Sequence, residues 1–162
     1  MDQELDAAFV IGPVRLLTVR EETFFHVVCP PTAMADLDRE LDRKMPLLEA
    51  AKAAAGIAQL GPIVVRYYKT EEPDIYVMEV GVPVMPDTEA AGEARIMQLP
   101  PLRCASLLYW GSLEHIGDAY AALTSVVQEA GLAPVGEGRE WYYCFEGDTS
   151  PNNVIGLQMA VR

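Results

Sequence analysis

The chain has 162 residues, 51% hydrophobic and 22% charged, enough for one domain with a sizeable interior. Acidic residues outnumber basic ones 24 to 12, a formal charge of −12, and no Lys/Arg cluster offers a local exception. Such a field argues against direct nucleic-acid binding and favours cationic small molecules or a basic protein partner. No apolar run reaches membrane-spanning length, and the start Met1-Asp2-Gln3-Glu4 has no signal-peptide features. Cys29, Cys104 and Cys144 lack metal-ligand spacing, and His26 and His115 are the only histidines. These features read as a cytoplasmic protein with reduced cysteines, no membrane segment, no metal and no cofactor.

Residues 1–12 carry little pattern and read as a short arm or a lead-in to the first strand. Val14 to Val28 is β-branched and apolar, broken at Glu21-Glu22, which predicts one strand or two short ones ending at Cys29-Pro30-Pro31. Thr32 then caps a helix to about Ala55, with Leu37, Leu41, Met45 and Leu48 at helical spacing. Pro46 predicts a kink or a split, and Gly56 a stop. Ile63 to Lys69 and Ile75 to Val84 read as strands around a turn at Glu72-Pro73-Asp74. Pro86 to Gly92 is a polar connection. Arg95 to Tyr109 is a further strand region interrupted by Pro100-Pro101. A second helix is predicted over Leu113 to Ala130, with Ile116, Tyr120, Leu123 and Val127 on one face. Glu140–Phe145 and Val154–Val161 form a closing hairpin.

This order, β-α-β-β taken twice, is matched by the residues themselves. Val14-Arg15-Leu16-Leu17 lines up with Ala94-Arg95-Ile96-Met97, Gly56-Ile57-Ala58 with Gly131-Leu132-Ala133, and Tyr67-Tyr68 with Tyr142-Tyr143. The fold class expected is α+β: one domain over 1–162 with pseudo-repeats at about 12–86 and 93–162. The halves would pair their antiparallel sheets about a pseudo-two-fold axis. Helices would cover one face, leaving a ligand trough on the other.

Strand alternation puts Glu140, Tyr142 and Cys144 on one face of the last hairpin and Arg139, Trp141, Tyr143 and Phe145 on the other. The second set is the better core face, expected under the helices. Duplication matches Glu140 to Val65 and Tyr142 to Tyr67, a site with a phenol from each half and a carboxylate from only one. Glu140 reads as a pocket carboxylate, as a solvated strand residue, or as an ion-pair partner of Arg139 or Arg66. Tyr67 and Tyr142 either stack on a ligand or simply pack. Tyr109 and Trp110, ending a strand at Gly111, read as a pocket rim or as core. Glu79 is either a second pocket acid or solvated, and Gly81 and Gly156 are candidates for an open trough floor.

Gly61-Pro62, Tyr67-Tyr68, Val80-Gly81-Val82-Pro83-Val84, Leu99-Pro100-Pro101, Tyr109-Trp110-Gly111, Ala119-Tyr120-Ala121-Ala122-Leu123, Gly131-Leu132 and Arg139-Glu140-Trp141-Tyr142 make an ordered set. Over about residues 12–162 it resembles the GyrI-like small-molecule-binding domain, the effector-binding domain of AraC- and MerR-type multidrug regulators. The resemblance implies a duplicated α+β scaffold with an aromatic pocket and a glutamate on the penultimate strand, here Glu140, that pairs with lipophilic cations. The regulators' DNA-binding helix-turn-helix has no counterpart here. Where many members carry Gly-x-Tyr before the second helix, this chain has Gly111-Ser112-Leu113.

Two functions follow from that resemblance. One is a stand-alone binding protein for lipophilic, cationic ligands, using Glu140, Tyr142, Tyr67, Tyr109, Trp110 and Val65. The other is a hydrolase of cyclopropane-type electrophiles, with Glu140 as general base and Tyr142 or Tyr109 as proton donor.

Overall fold

In the computed structural model, residues 9–57 and 61–162 are described. Most of the lead-in, and Ala58 of the repeat comparison, lie outside the described residues. Phe9–Ile11 (β1), Arg15–Val19 (β2) and Glu22–Ala33 (β3) precede the first helix, Leu37–Ala55 (α1). Ile63–Lys69 (β4) and Ile75–Pro83 (β5) follow it. Arg95–Leu99 (β6), Leu102–Gly111 (β7), the helix Ile116–Glu129 (α2), Pro134–Cys144 (β8) and Val154–Val161 (β9) complete the chain. The strand breaks expected at Glu21-Glu22 and at Pro100-Pro101 fall between β2 and β3 and between β6 and β7.

Each helix begins later than its apolar periodicity predicts, because a turn of 3₁₀ helix, Met34–Asp36 or Leu113–His115, comes first. Thr32 is therefore still in β3, and its hydroxyl donates to the Pro30 carbonyl rather than capping α1. Pro46 does not split α1, which runs continuously across it. Proline removes one helical hydrogen bond, and the packing of Leu48 and Ala51 into the core offsets that loss. Gly56 stops α1 in the left-handed conformation at φ 62°.

The strands form a single antiparallel sheet of nine, in the order β1-β7-β9-β8-β4-β5-β3-β6, with β2 also paired to β7. Its register has an internal correspondence. Arg15 pairs with Ser106, Leu16 with Ala105 and Leu17 with Cys104. In the same way Arg95 pairs with His26, Ile96 with Phe25 and Met97 with Phe24. At the centre β4 and β8 pair with each other, and Val65 sits opposite Glu140.

Both helices pack on one face of the sheet, α1 over β3 and β5 and α2 over β7 and β9. Beneath α1, Leu48 and Ala51 meet Phe25, Val27, Val80 and Val82. Beneath α2, Ala119, Leu123 and Val127 meet Leu107, Tyr109, Ile155 and Leu157. Leu48 and Leu123 are fully buried, and truncating either to alanine would cost about 2–5 kcal/mol.

The opposite face is not bare. Because β2 pairs with β7 while β3 pairs with β5 and β6, the chain crosses from one side of the sheet to the other at Arg20-Glu21 and back at Pro100-Pro101. The strand ends beside these crossings pack there: Phe24 and Leu99 against Val64 and Trp141, and Val19 and Leu102 against Cys104 and Ala160. This corrects the assignment of faces made from alternation. Trp141 is buried on the side away from the helices, while Tyr143 and Phe145 are exposed. Both sheet faces are partly covered, so an aromatic side chain can bury on either. Among the described residues no helix is long and apolar enough to cross a membrane. Cys29 and Cys104 are buried free thiols and Cys144 is exposed.

Candidate ligand-binding site

Glu140 stands on β8 in the central row Val80–Val65–Glu140–Leu157, whose apolar members belong to the two helix-side cores. Its carboxylate therefore points into the gap between α1 and α2, not toward the opposite face. The trough expected there is replaced, for Glu140, by a cavity on the helix side. The physical reason is that the two helices cover separate cores and leave the middle of the sheet between them.

The carboxylate is held by phenols. Tyr142, two residues along the same strand face, donates its hydroxyl to Glu140 Oε2 at 2.6 Å. Tyr120 on α2 donates to Oε1. Tyr67 on β4 donates in turn to the Tyr120 hydroxyl at 2.9 Å. The position of Tyr67 depends on Gly138, its partner in register. A Cβ at Gly138 would lie 2.3 Å from the Tyr67 hydroxyl oxygen, so only glycine lets that ring lie across β8. Burial first, and then the Glu140 charge, hold the Tyr120 and Tyr142 phenols well above the ordinary value of 10.0. Tyr67 is raised for the same two reasons, with its bond to Tyr120 acting the other way. All three phenols are thus kept as neutral donors.

Beside this chain of bonds lies a cavity of about 580 Å³, lined by Leu37, Tyr67, Tyr76, Tyr120, Glu140 and Met159 among others, with the exposed Lys69 at its edge. None of the ion pairs among the described residues includes Glu140. The arginines considered as its partners are engaged on the other face. Arg66 bonds Glu79 at 2.8 Å and Glu137 at 2.9 Å, and Arg139 lies 4.0 Å from Glu137. Glu79 is accordingly neither a pocket acid nor solvated, but 4% exposed in an ion pair. No group of three or more metal-ligating side chains occurs among the described residues.

Of the residues singled out from sequence, the fold brings Glu140, Tyr142, Tyr67 and Val65 together. Tyr109 lies apart, fully buried in the α2 core with its hydroxyl donated to the Ser112 carbonyl at 2.5 Å. Trp110 is one residue on and lies on the side away from the helices, near Trp141 and Tyr143. Gly81 and Gly156 are also on that side. A Cβ at Gly81 would strike the β3 backbone, and one at Gly156 the Tyr143 ring. Two site residues were not legible as such. Tyr120 matched the apolar stripe of α2, and Gly138 carried no signal beyond being a glycine in a strand.

No family model matches the chain, and no curated protein matches its sequence. Solved structures do. The EcmrR C-terminal domain superposes with a TM-score of 0.72 at 16% identity, covering 93% of this chain and 98% of that one. SAV2435 bound to tetraphenylphosphonium superposes at 0.70 with 10% identity, covering 93% and 94%. The fold is that of the EcmrR C-terminal domain and of SAV2435. EcmrR in its DNA complex matches over 99% of this chain at a TM-score of 0.71 and 15% identity, and this chain spans 60% of that longer one. A hydrolase from Listeria innocua shares the fold at a TM-score of 0.58 and 11% identity, covering 92% of this chain and 91% of that one.

Proposed function

We propose that this protein binds lipophilic, cationic small molecules at Glu140. The observation that carries the reading is a carboxylate that has no basic partner among the described residues and accepts hydrogen bonds from neutral phenols, at the edge of a largely apolar cavity. Phenols satisfy the oxygens by hydrogen bonding but leave the negative charge in place. A cation at about 4–5 Å gains several times more from that charge than it would in water. The Tyr67, Tyr120 and Tyr142 rings supply apolar surface and π faces for the rest of the ligand. The pocket straddles β4 and β8, the strands at the centre of what we read as two duplicated halves. The matching registers of β2–β7 and β6–β3 support that reading. The similarity of fold to SAV2435 bound to tetraphenylphosphonium supports the cationic class.

The test is calorimetric titration of tetraphenylphosphonium and of neutral triphenylphosphine oxide into wild type and Glu140→Gln. The cation should lose well over tenfold in affinity and the neutral compound almost nothing, since one removed Coulomb partner at this range is worth about 2 kcal/mol. Equal losses for both would sink the proposal.

A second reading, hydrolysis of a reactive electrophile, is favoured by one observation: two phenol protons already point at one carboxylate. In that reading Glu140 activates water and Tyr142 or Tyr120 protonates the leaving atom. Turnover followed by mass spectrometry, absent in Glu140→Gln, would establish it. Strictly stoichiometric uptake would eliminate it.

A further inference from the structure

On the face away from the helices, the register sets four hydrogen-bond donors in a row across neighbouring strands. Arg15 on β2 pairs with Ser106 on β7, Ser106 with Gln158 on β9, and Gln158 with Arg139 on β8. Leu107 and Tyr109 belong to the α2 core, so Ser106, Leu108 and Trp110 lie on the far face. The row begins and ends on a guanidinium, with a hydroxyl and an amide between. Only the fold assembles it, since Arg15 and Arg139 come from opposite ends of the chain. The Gln158 side-chain oxygen accepts from the Trp141 indole at 2.9 Å, which leaves the amide nitrogen as a donor. None of the ion pairs among the described residues includes Arg15.

A cleft of about 390 Å³ lies over Arg15, Ser106 and Gln158, walled by Leu108, Trp110, Trp141 and Tyr143. A Cβ at Gly156 would stand 2.9 Å from the Tyr143 ring, so the missing side chain lets that ring lie over β9. Trp110 and Tyr143 are exposed. No acidic side chain lines the cleft, in a chain where acids outnumber bases 24 to 12. The fourth member of the row is buried at a cost. Arg139 is 1% exposed, and among the described residues its Nε and Nη1 have no hydrogen-bond partner. Glu137, 4.0 Å from it, is already bonded to Arg66, and Glu22 acts on it from beyond ion-pair range. A buried guanidinium with unpaired N–H groups destabilises the fold. Its charge is felt on the cleft side of β8, at Cys104 on β7. An anion over Gln158, one strand spacing or about 5 Å along the row, would offset that charge.

We propose that this cleft binds a planar aromatic carboxylate, its ring against Trp110 and Tyr143 and its acidic group on Arg15, Ser106 and Gln158, with the buried charge of Arg139 behind them. Aromatic walls favour a flat ring, and a row of donors with no acid beside it favours a negative group. The site lies across the sheet from Glu140 and does not depend on the reading of Glu140 as a cation site.

The probes are 2-naphthoate and its uncharged counterpart 2-naphthamide, titrated calorimetrically at low ionic strength. In wild type the acid should bind at least about tenfold tighter, because two positive charges act on it alone. Arg15→Gln and Arg139→Met should each weaken naphthoate by about threefold to tenfold and leave naphthamide within about twofold. Arg139→Met should do so while making the protein harder to unfold, a combination that a purely structural arginine would not produce. Trp110→Ala should weaken both probes alike, by about fivefold or more. Leu102 and Cys104 pack on the far face, so Arg103 points to the helix side, and Arg103→Gln should leave the preference for naphthoate intact. Equal affinity of the two probes in wild type overturns the proposal, as does the failure of both to bind. A preference that Arg103→Gln removes as fully as Arg15→Gln overturns it by assigning the effect to net charge. So does naphthoate binding that Arg15→Gln and Arg139→Met leave untouched, or that Trp110→Ala does not weaken.

Discussion

Replacing Tyr120 with phenylalanine tests whether the three phenols and Glu140 act as one unit. The substitution keeps the ring and its packing and removes a single oxygen. That oxygen donates to Glu140 Oε1 and accepts from Tyr67 at 2.9 Å. The first bond ends on a carboxylate and is worth about 1.5–3 kcal/mol, and the second about 0.5–1.5 kcal/mol. Together these net contributions come to about 2–4 kcal/mol. For a chain of this size each kcal/mol lowers the melting temperature by about 2–4 °C, so a fall of roughly 10 °C is expected. Thermal unfolding followed by circular dichroism would measure it.

Tyr67→Phe should cost less, about 1 kcal/mol, because Tyr120 keeps its bond to Glu140. The double variant should then be no worse than Tyr120→Phe alone, since removing the Tyr67 hydroxyl removes the donor that the first change left without a partner. Strict additivity of the two losses, or a Tyr120→Phe protein as stable as wild type, would refute the idea of a connected chain.

Two further outcomes follow from buried groups. The raised phenols of Tyr67, Tyr120 and Tyr142 bind protons more tightly folded than unfolded, so their contribution is complete below the ordinary value of 10.0 and is lost as pH rises through the higher folded values. Stability should hold steady up to about pH 10 and then fall by about 1.4 kcal/mol per pH unit for each phenol still protonated in the fold. Phenolate absorbance should show these tyrosines ionising only with unfolding, and free ionisation in the folded protein would contradict the burial. On the other face, Arg139 is 1% exposed, its Nε and Nη1 have no hydrogen-bond partner among the described residues, and burial holds its guanidinium below the usual range. Arg139→Met should therefore raise the urea midpoint, by about 1–3 kcal/mol in stability, because Arg66 already satisfies Glu137. A clear loss of stability would mean that the guanidinium is better compensated than its geometry indicates.

Strand and helix positions were legible from residue pattern alone, because apolar spacing and the proline and glycine breaks act locally. Alternation on β8 placed Glu140 beside Tyr142, and the match between Tyr67 and Tyr142 pointed to the pair of strands that meet at the centre of the sheet. Three things were decided only by tertiary structure. Which face of β8 the helices cover could not be read, because Trp141 is buried by the crossing strand ends just as Val65 is buried on the helix side, and a strand covered on both faces carries no polar–apolar contrast. Tyr120 could not be assigned to the site, since its place on the α2 stripe is that of a core residue, and only the packing of α2 beside β8 brings its hydroxyl to Glu140. Tyr109 and Trp110, adjacent in sequence to a glycine and read as a rim, point to opposite faces of β7 and away from the pocket. A carboxylate among aromatics could be recognised from sequence. The phenols of the hydrogen-bonded chain that ends on it come from β4, α2 and β8, and only the folded chain brings them within hydrogen-bonding distance.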